Sequence, residues 1–520
     1  MKLRSNLLLP FLTLACTKPF YSSGVRAFSA AARNLPPLTQ PTQIKEHIPL
    51  AQKAMDYFDS SPDPFHAVQT SVDMLEAASF TELEHEASYK SQLKPGGKYY
   101  FTKNKSTLVA FTVGEQFEAG NGFKIIGGHT DSPNLKVKPR SKLTGGSTGC
   151  VQLRVECYGG GLWHTWFDRD LGVSGRVFVR GEDGKIEQKL VKIDRAILRI
   201  PNLAIHLQTA KEREAFKLNK EDHLAPLLGM AVKDALEGKT DKEEKIEDGW
   251  TEYQEPLLLQ MLSSELGVET SEILDFELNL FDVQKASLGG AYSEFVHSAR
   301  LDNLASCFMA VQSLVEYSST EGALASDKDI SLVALFDHEE IGSDSATGAG
   351  SPIMGEAVER ICNAFEPETA DHVCTHSKSI SQSFVLSVDQ AHAIHPNYAS
   401  KHEKAHSPKM NDGMVIKRNQ NQRYATTGVT GLIIREIARK AGLKPVQEFV
   451  VRNDCGCGST IGPIISSSTG MRAIDMGCPQ LSMHSIRETM GTSDFTNGLE
   501  LFKAFFEHFR EVDDSFADRN

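Results

Sequence analysis

Side chains of the types that bind metal ions lie at the ends of predicted strands and helices, in distant parts of the sequence. The seven residues concerned are His129, Asp131, Asp302, Glu339, Glu340, Asp389 and His484. In an open α/β sheet, ligands bind beyond the carboxyl ends of the strands. Most of these residues have that position, so we expect the fold to gather them into one site.

Five of the seven can form a site for two divalent cations, which leaves two carboxylates for supporting roles. Three carboxylates and two imidazoles suit Zn²⁺, with Co²⁺ or Mn²⁺ as substitutes, and one carboxylate can bridge two cations about 3.5–4 Å apart. Two divalent cations against three carboxylates leave one positive charge, which a bridging hydroxide would neutralise. That hydroxide is a nucleophile, and a nearby carboxylate that binds no metal must take its proton.

Two further features indicate how the supporting roles are divided. Neighbours on an extended chain point to opposite sides, so one residue of the pair Glu339–Glu340 can bind metal while the other faces the water. Asp131, two residues after His129, suits the carboxylate that fixes a ligating imidazole. Each motif alone is more often a solvated turn or helix start, and the prediction depends on their joint occurrence behind strands.

The elements that must position these residues alternate between strands and helices. Apolar runs of strand length predict a sheet covered on both faces, and they are Phe123–Gly128, Ile330–Phe336, Phe384–Val388 and Val446–Val451. Helical spacing of apolar residues predicts helices over Leu50–Phe58, Leu301–Val315, Val358–Phe365 and Leu499–Phe509, and one after Ser61. This alternation predicts a three-layer α/β/α domain.

Between residues 138 and 284 the sequence becomes turn-rich and alternating. Val173–Val179 and Ile193–Ile200 are typical of antiparallel strands. We therefore predict an inserted β-rich domain over 138–284, which divides the catalytic domain into 46–137 and 285–520. The charged segment Lys239–Glu247 is predicted to be a solvated loop.

The composition of the 520 residues is that of a soluble globular protein, with 40% hydrophobic and 24% charged residues. A net charge of −13 argues against a protein that coats nucleic acid or binds membranes through a basic surface. The nine cysteines lack the spacing of a disulfide framework, which favours a reducing compartment.

Residues 1–45 contain no Asp or Glu and are rich in Arg and Ser, which is typical of a transit peptide for a mitochondrion or plastid. A secretory signal peptide, a bipartite plastid leader and a disordered tail are the alternatives. The apolar run Leu7–Cys16 contains Pro10 and is too short to span a bilayer.

The motifs together resemble those of the aspartyl aminopeptidases, two-zinc exopeptidases that remove N-terminal acidic residues. The stretches that carry the resemblance extend along the chain after the leader: Gly128–Pro133, Tyr158–Leu162, Trp166–Leu171, Ala204–Leu207, Ala299–Leu304, His338–Ser343, Asp389–Tyr398 and Cys457–Pro463. The resemblance implies a zinc-exopeptidase domain of α/β/α type whose inserted domain forms dimers.

The resemblance also assigns the candidate residues to roles. One zinc ion would be held by His129, Asp302 and Asp389, and the other by the shared Asp302, Glu340 and His484. Glu339 would be the general base, and Asp131 would orient His129. The substrate pocket would contain Glu339, Asp389, His392, Lys417 and Tyr424.

His206 would reach from the inserted domain into the site of a neighbouring subunit, and the dimers would assemble into a tetrahedral homododecamer. Lys417 would offer its positive charge to the acidic side chain of the substrate, which would otherwise be desolvated without a partner.

Two alternative functions are weighed against this one. The first is a two-zinc aminopeptidase of neutral or broad specificity, against which Lys417 argues. The second is a metal-bound assembly protein without activity, against which a base beside a metal ligand argues. Relatives of this kind are often cytosolic or vacuolar, so cytoplasm or vacuole is the alternative to an organelle. No nucleic-acid or membrane partner is expected.

Overall fold

The computed structural model describes residues 42–84, 86–143, 148–230, 249–369 and 371–517. Residues 1–41 of the predicted leader and the predicted loop Lys239–Glu247 lie outside the described residues. None of the helices in the described part of the chain has both the length and the apolarity that crossing a bilayer requires.

A central sheet of nine strands forms the middle layer. In spatial order these are Thr81–Glu82, Lys98–Lys103, Thr107–Val113, Ile330–Phe336, Phe123–His129, Phe384–Val388, Arg472–Gly477, Val415–Arg418 and Gln447–Val450. The four strands from Ile330–Phe336 to Arg472–Gly477 run parallel to one another. Their carboxyl ends therefore lie at the same edge of the sheet.

Alternate side chains of the central strands pack into two separate hydrophobic cores. In the strand Ile330–Phe336, Val333 belongs to one core and Leu332 to the other, because successive side chains point to opposite faces. The helices over the first face are Ile48–Ser60, Pro64–Ala77, Leu301–Ser319, Gly428–Lys440 and Asp494–Asp514. Those over the second are Ile353–Phe365, His372–Gln382 and Ile461–Thr469. The predicted three-layer α/β/α fold is thus confirmed.

A second sheet is antiparallel and has its own hydrophobic core. In spatial order its strands are Ile186–Leu198, Leu171–Arg180, Ile273–Asp282, Asn134–Lys142, Cys150–Tyr158 and Leu227–Met230. The helix Pro256–Leu266 packs against this core. The sheet begins before residue 138, and the division of the chain into domains stays a prediction.

A small third sheet was not predicted. Its strands, in spatial order, are Ser287–Gly289, Phe295–Ser298, Glu488–Gly491, Pro479–Leu481 and Ala391–His392. Short helices and 3₁₀ turns complete the described elements: Thr42–Lys45, Tyr89–Ser91, Trp163–Trp166, Ile205–Leu207, Ala210–Glu214, Thr251–Tyr253, Thr270–Glu272, Ala323–Ser326, Glu339–Ile341 and Ala399–Lys401.

The predicted strand Val446–Val451 is the least buried of the four. It forms Gln447–Val450 at the edge of the central sheet, and most of its residues are half-buried. This strand is therefore less completely covered than the three inner strands, which are buried along their whole length.

Candidate metal centre

The central sheet brings four of the seven candidate residues, three ligands and the proposed base Glu339, to one edge. His129 is the last residue of its strand, and Asp389 directly follows the strand Phe384–Val388. Glu339 and Glu340 lie in the 3₁₀ turn that follows the strand Ile330–Phe336. These three strands are parallel neighbours, so their ends converge as the sequence predicted.

The other two candidate ligands come from a helix start and a loop. Asp302 is the second residue of the helix Leu301–Ser319. His484 lies between the short strands Pro479–Leu481 and Glu488–Gly491 of the third sheet. The fold thus joins residues from the central sheet, a helix and an unpredicted sheet.

Two triads of ligand atoms share Asp302. In each triad the atoms lie within 4.8 Å of one another, and the triads are His129, Asp302, Asp389 and Asp302, Glu340, His484. His129 Nε2 lies 3.6 Å from Asp302 Oδ1 and 3.7 Å from Asp389 Oδ1. His484 Nε2 lies 3.5 Å from Asp302 Oδ2 and 3.4 Å from Glu340 Oε2. Each oxygen of Asp302 therefore faces a different imidazole.

Both imidazoles are oriented by backbone carbonyl groups. The Nδ1 atom of His129 lies 3.0 Å from the carbonyl oxygen of Asp131, and that of His484 lies 3.1 Å from the carbonyl oxygen of Gly160. A carbonyl oxygen only accepts hydrogen bonds, so Nδ1 must carry the hydrogen in both rings. The Nε2 atoms are therefore the positions that face the carboxylates and can bind metal.

The carboxylate of Asp131 holds the turn that carries the two glutamates. It accepts hydrogen bonds from the backbone amides of Glu339 at 3.0 Å and Glu340 at 3.1 Å, and from the Tyr158 hydroxyl at 2.7 Å. Its Oδ1 lies 3.5 Å from His129 Nδ1, farther than the carbonyl oxygen of the same residue. Asp131 thus contacts His129 mainly through its backbone, whereas the prediction was made for its carboxylate.

The geometry of the pair Glu339–Glu340 differs from the prediction. The two residues lie in a 3₁₀ turn and not on an extended chain, so the expected alternation of strand side chains does not apply. His338, just before them, has φ of 64°, an uncommon value for a residue with a side chain. Glu339 Oε2 lies 3.9 Å from His129 Nε2, whereas Glu340 faces His484.

The charges of the cluster shift the pKa of its members strongly. Burial disfavours the charged form of His129, but Glu339 and the other carboxylates outweigh burial and raise its pKa well above the usual range. Burial likewise opposes charge on His484, but Asp302 and Glu340 raise its pKa to about 10. Burial disfavours ionisation of Asp302, yet both imidazoles overcome it and hold its pKa well below the usual range.

Burial, followed by repulsion from neighbouring carboxylates, raises the pKa of Glu339 to about 8 and that of Glu340 well above its usual range. The side chains alone would therefore retain protons, which divalent cations would displace on binding. Two buried oxygens, Asp302 Oδ1 and Glu340 Oε1, accept no hydrogen bond from the described residues. Since such oxygens are costly without a partner, these residues fit a divalent cation.

A cavity of about 490 Å³ opens beside the cluster, and its lining includes the predicted substrate residues His392, Lys417 and Tyr424. Lys417 is 2% exposed, and its Nζ lies 3.2 Å from Asp389 Oδ2 and 3.0 Å from the carbonyl oxygen of Gln390. The same Nζ lies 5.2 Å from the centre of the Tyr424 ring. Lys417 is thus paired with a candidate metal ligand, a contact that the sequence did not predict.

Of the predicted substrate residues, all of which lie in the described part of the chain, His206 is the one that does not line the cavity. It is exposed in the turn Ile205–Leu207, and it is absent from the cavity lining that the described residues form. Its neighbours Leu203, Ile205 and Leu207 are also exposed, Leu207 to 72%.

Sequence reasoning missed two contacts of the ligands. Gly160, in the segment after the strand Cys150–Tyr158, orients His484 through its carbonyl group, and the amide of Leu162 donates to the carbonyl oxygen of His484 at 2.8 Å. Glu488 accepts hydrogen bonds from the amides of Asp302 and His484. The glycine run was visible in the sequence, but nothing there connected it to a histidine so far along the chain.

Comparison with known proteins identifies close relatives. A family profile described as aminopeptidase I zinc metalloprotease (M18) matches residues 57–506. The aspartyl aminopeptidase of Aspergillus oryzae is 48% identical over 486 residues, which cover 88% of this chain and 96% of that protein.

Solved structures are similar over the same range. One described as the Ape4 and Nbr1 complex is 42% identical, with a TM-score of 0.86 over 92% of this chain and 90% of that chain. Another, of the S. cerevisiae mApe1 dodecamer, is 32% identical, with a TM-score of 0.79 over 90% of this chain and 98% of that chain.

Proposed function

The chain belongs to the M18 family of aminopeptidase I zinc metalloproteases, and from this premise we propose that it removes aspartate or glutamate from the N-terminus of peptides. The observation that carries the proposal is the pair of ligand triads that share Asp302, beside a cavity with a buried lysine. The name of the Aspergillus oryzae relative supports the preference for acidic residues.

Two zinc ions are assigned to the two triads. One would be held by His129, Asp302 and Asp389, and the other by Asp302, Glu340 and His484, with Co²⁺ or Mn²⁺ as substitutes. When bound, the ions would lower the pKa of water and polarise the peptide carbonyl group. The protein fixes both imidazoles through carbonyl groups, so that each Nε2 faces its triad.

Glu339 is assigned the proton transfer. Both Glu339 and Glu340 line the cavity, but Glu340 also lies 3.4 Å from His484 Nε2 within its triad, whereas Glu339 belongs to neither triad that shares Asp302. It would take a proton from the attacking water and return that proton to the leaving amine. Asp131 supports this role, because its carboxylate accepts hydrogen bonds from the backbone amides of both glutamates and so holds their turn.

Lys417 is assigned the recognition of the acidic side chain. An ammonium group has three donors, and two of them are used by Asp389 and Gln390. The third can bind a substrate carboxylate within the cavity, and His392 and Tyr424 complete the lining there. An apolar side chain would leave this donor unpaired, which explains the proposed preference.

His206 is assigned to the site of a neighbouring subunit in a homodimer that assembles further into a homododecamer. The exposed apolar residues Leu203, Ile205 and Leu207 around it are typical of a surface that another protein covers. The dodecameric structure of the S. cerevisiae relative supports this assembly.

The test uses three peptides that differ only at the first residue: Asp, Leu and N-acetyl-Asp. The chain is incubated with each peptide, with zinc and then with a chelator, and mass spectrometry counts the residues lost. We expect removal of Asp alone, abolished by the chelator, with the acetylated peptide intact because an aminopeptidase needs a free amine.

The other outcomes contradict parts of the proposal. Faster loss of Leu would favour a two-zinc aminopeptidase of neutral or broad specificity and would overturn the role of Lys417. No cleavage of any peptide by the metal-loaded protein would favour an assembly protein without activity.

A further inference from the structure

A buried carboxylate outside the two triads contacts the backbone of two candidate ligands. Glu488 is the first residue of the strand Glu488–Gly491 and is 2% exposed. Its Oε2 accepts a hydrogen bond from the amide of Asp302 at 2.9 Å, and its Oε1 accepts one from the amide of His484 at 2.8 Å. The Nε2 of Gln480 donates to Oε1 at 3.3 Å.

These two hydrogen bonds connect segments that are far apart in the sequence. Asp302 is the second residue of a helix. His484 lies in a loop, and its φ of 65° is uncommon for a residue with a side chain. One carboxylate therefore connects the backbones of two candidate ligands. The side-chain atoms Asp302 Oδ2 and His484 Nε2 lie 3.5 Å apart.

We propose that Glu488 is a positioning residue of the metal centre, which sets the spacing of Asp302 and His484 and thereby the affinity of their triad for zinc. The proposal rests on the assignment of that triad to a zinc ion under the proposed function. Glu488 lies outside both triads, and each of its oxygens accepts a hydrogen bond from a backbone amide.

The hydrogen bonds of Glu488 are of the same kind as those of Asp131. Asp131 accepts hydrogen bonds from the backbone amides of Glu339 and Glu340. Glu488 accepts hydrogen bonds from those of Asp302 and His484. Four of the seven candidate residues are therefore held through their backbones by two buried carboxylates. Burying a carboxylate is costly unless it is hydrogen-bonded, and both are satisfied by these amides.

The chain offers a matched control in Asp494. This buried carboxylate also accepts hydrogen bonds from two backbone amides, those of Asn411 at 2.6 Å and Gly413 at 3.1 Å. Among the described residues, its hydrogen bonds involve no candidate ligand. Changing it removes the same kind of interaction from the fold and leaves the triads alone.

The experiment compares the full chain with Glu488→Gln and Asp494→Asn. Zinc affinity is measured by competition with a chromophoric chelator, and the visible spectrum is recorded after replacement of zinc by cobalt. In Glu488→Gln one oxygen becomes an amide nitrogen, which cannot accept a hydrogen bond. We expect about 10–100-fold weaker binding of one zinc equivalent and an altered cobalt spectrum, the range typical when a supporting residue of a metal site is changed.

In Asp494→Asn we expect wild-type zinc affinity and an unchanged cobalt spectrum, even where thermal stability falls. Unchanged zinc affinity in folded Glu488→Gln, or an equal loss in Asp494→Asn, would overturn the proposal. Should Glu488→Gln fail to fold, Glu488→Asp replaces it, because the shorter carboxylate keeps the charge but withdraws from the amides; wild-type affinity there would also overturn the proposal. None of these measurements uses a peptide, so failure of the acidic aminopeptidase assignment is detected separately.

Discussion

The candidate metal centre and the turn that carries His206 differ in their burial and in their position relative to the cavity. The two ligand triads are built mainly from residues that are buried or half-buried at strand ends of the central sheet. His206 is exposed on the turn Ile205–Leu207, outside the cavity lining. The proposed metal site would therefore need the fold of one chain only, whereas the role proposed for His206 would need a neighbouring subunit.

The largest effect is expected at the residue that both triads share. Asp302→Ala removes a ligand from each triad, and we expect zinc binding to be lost and kcat/KM to fall by about 10⁴-fold or more, since metal ions contribute several kcal/mol to such reactions. Metal analysis and peptide hydrolysis check this. Retention of one zinc equivalent with normal affinity would show that the triads are independent.

A smaller effect is expected from Glu339→Gln, which separates proton transfer from metal binding. We expect kcat to fall by about 10²–10⁴-fold, the usual contribution of a general base, with zinc content unchanged. The measurement pairs steady-state kinetics with metal analysis. A loss of zinc in this variant would instead make Glu339 a ligand, consistent with its 3.9 Å distance from His129.

Lys417→Met tests the specificity of the cavity. We expect kcat/KM for an Asp peptide to fall by about 10–100-fold, the effect of losing a hydrogen bond to a charged group. Lys417 also contacts Asp389, and the loss of that contact would lower activity towards any peptide. Activity towards a Leu peptide therefore serves as the reference. An equal fall for both peptides would assign Lys417 to the support of Asp389 alone.

The smallest effect is expected from His206→Ala, about 10-fold in kcat/KM with full zinc content, the size of one neutral hydrogen bond. A second experiment dissociates the His206→Ala and Glu339→Gln proteins into subunits, mixes them in equal amounts and lets the mixture reassemble. If His206 acts in a neighbouring subunit, mixed dimers contain one complete site, and activity should approach about one quarter of that of the wild type. No gain over the separate variants would place His206 in the site of its own chain.

The sequence predicted the parallel strands and the residues at their ends better than it predicted the third sheet and the hydrogen bonds that orient the ligands. Apolar runs such as Ile330–Phe336 are buried along their whole length, so their pattern is clear in the sequence. The strand Ala391–His392 has two residues and gives no such pattern. The contacts of Gly160 and Glu488 involve backbone groups of distant residues, which no local pattern indicates.

The contact between Gly160 and His484 has a consequence for any attempt to shorten the protein. The segment that follows the strand Cys150–Tyr158 supplies the carbonyl group that orients the ring and the Leu162 amide that holds the loop. A minimal enzyme made by excising the second sheet would therefore retain every ligand residue and still lack the orientation of one of them. Trimming, loop grafting or domain exchange must preserve residues 159–162 together with the sheet that carries them.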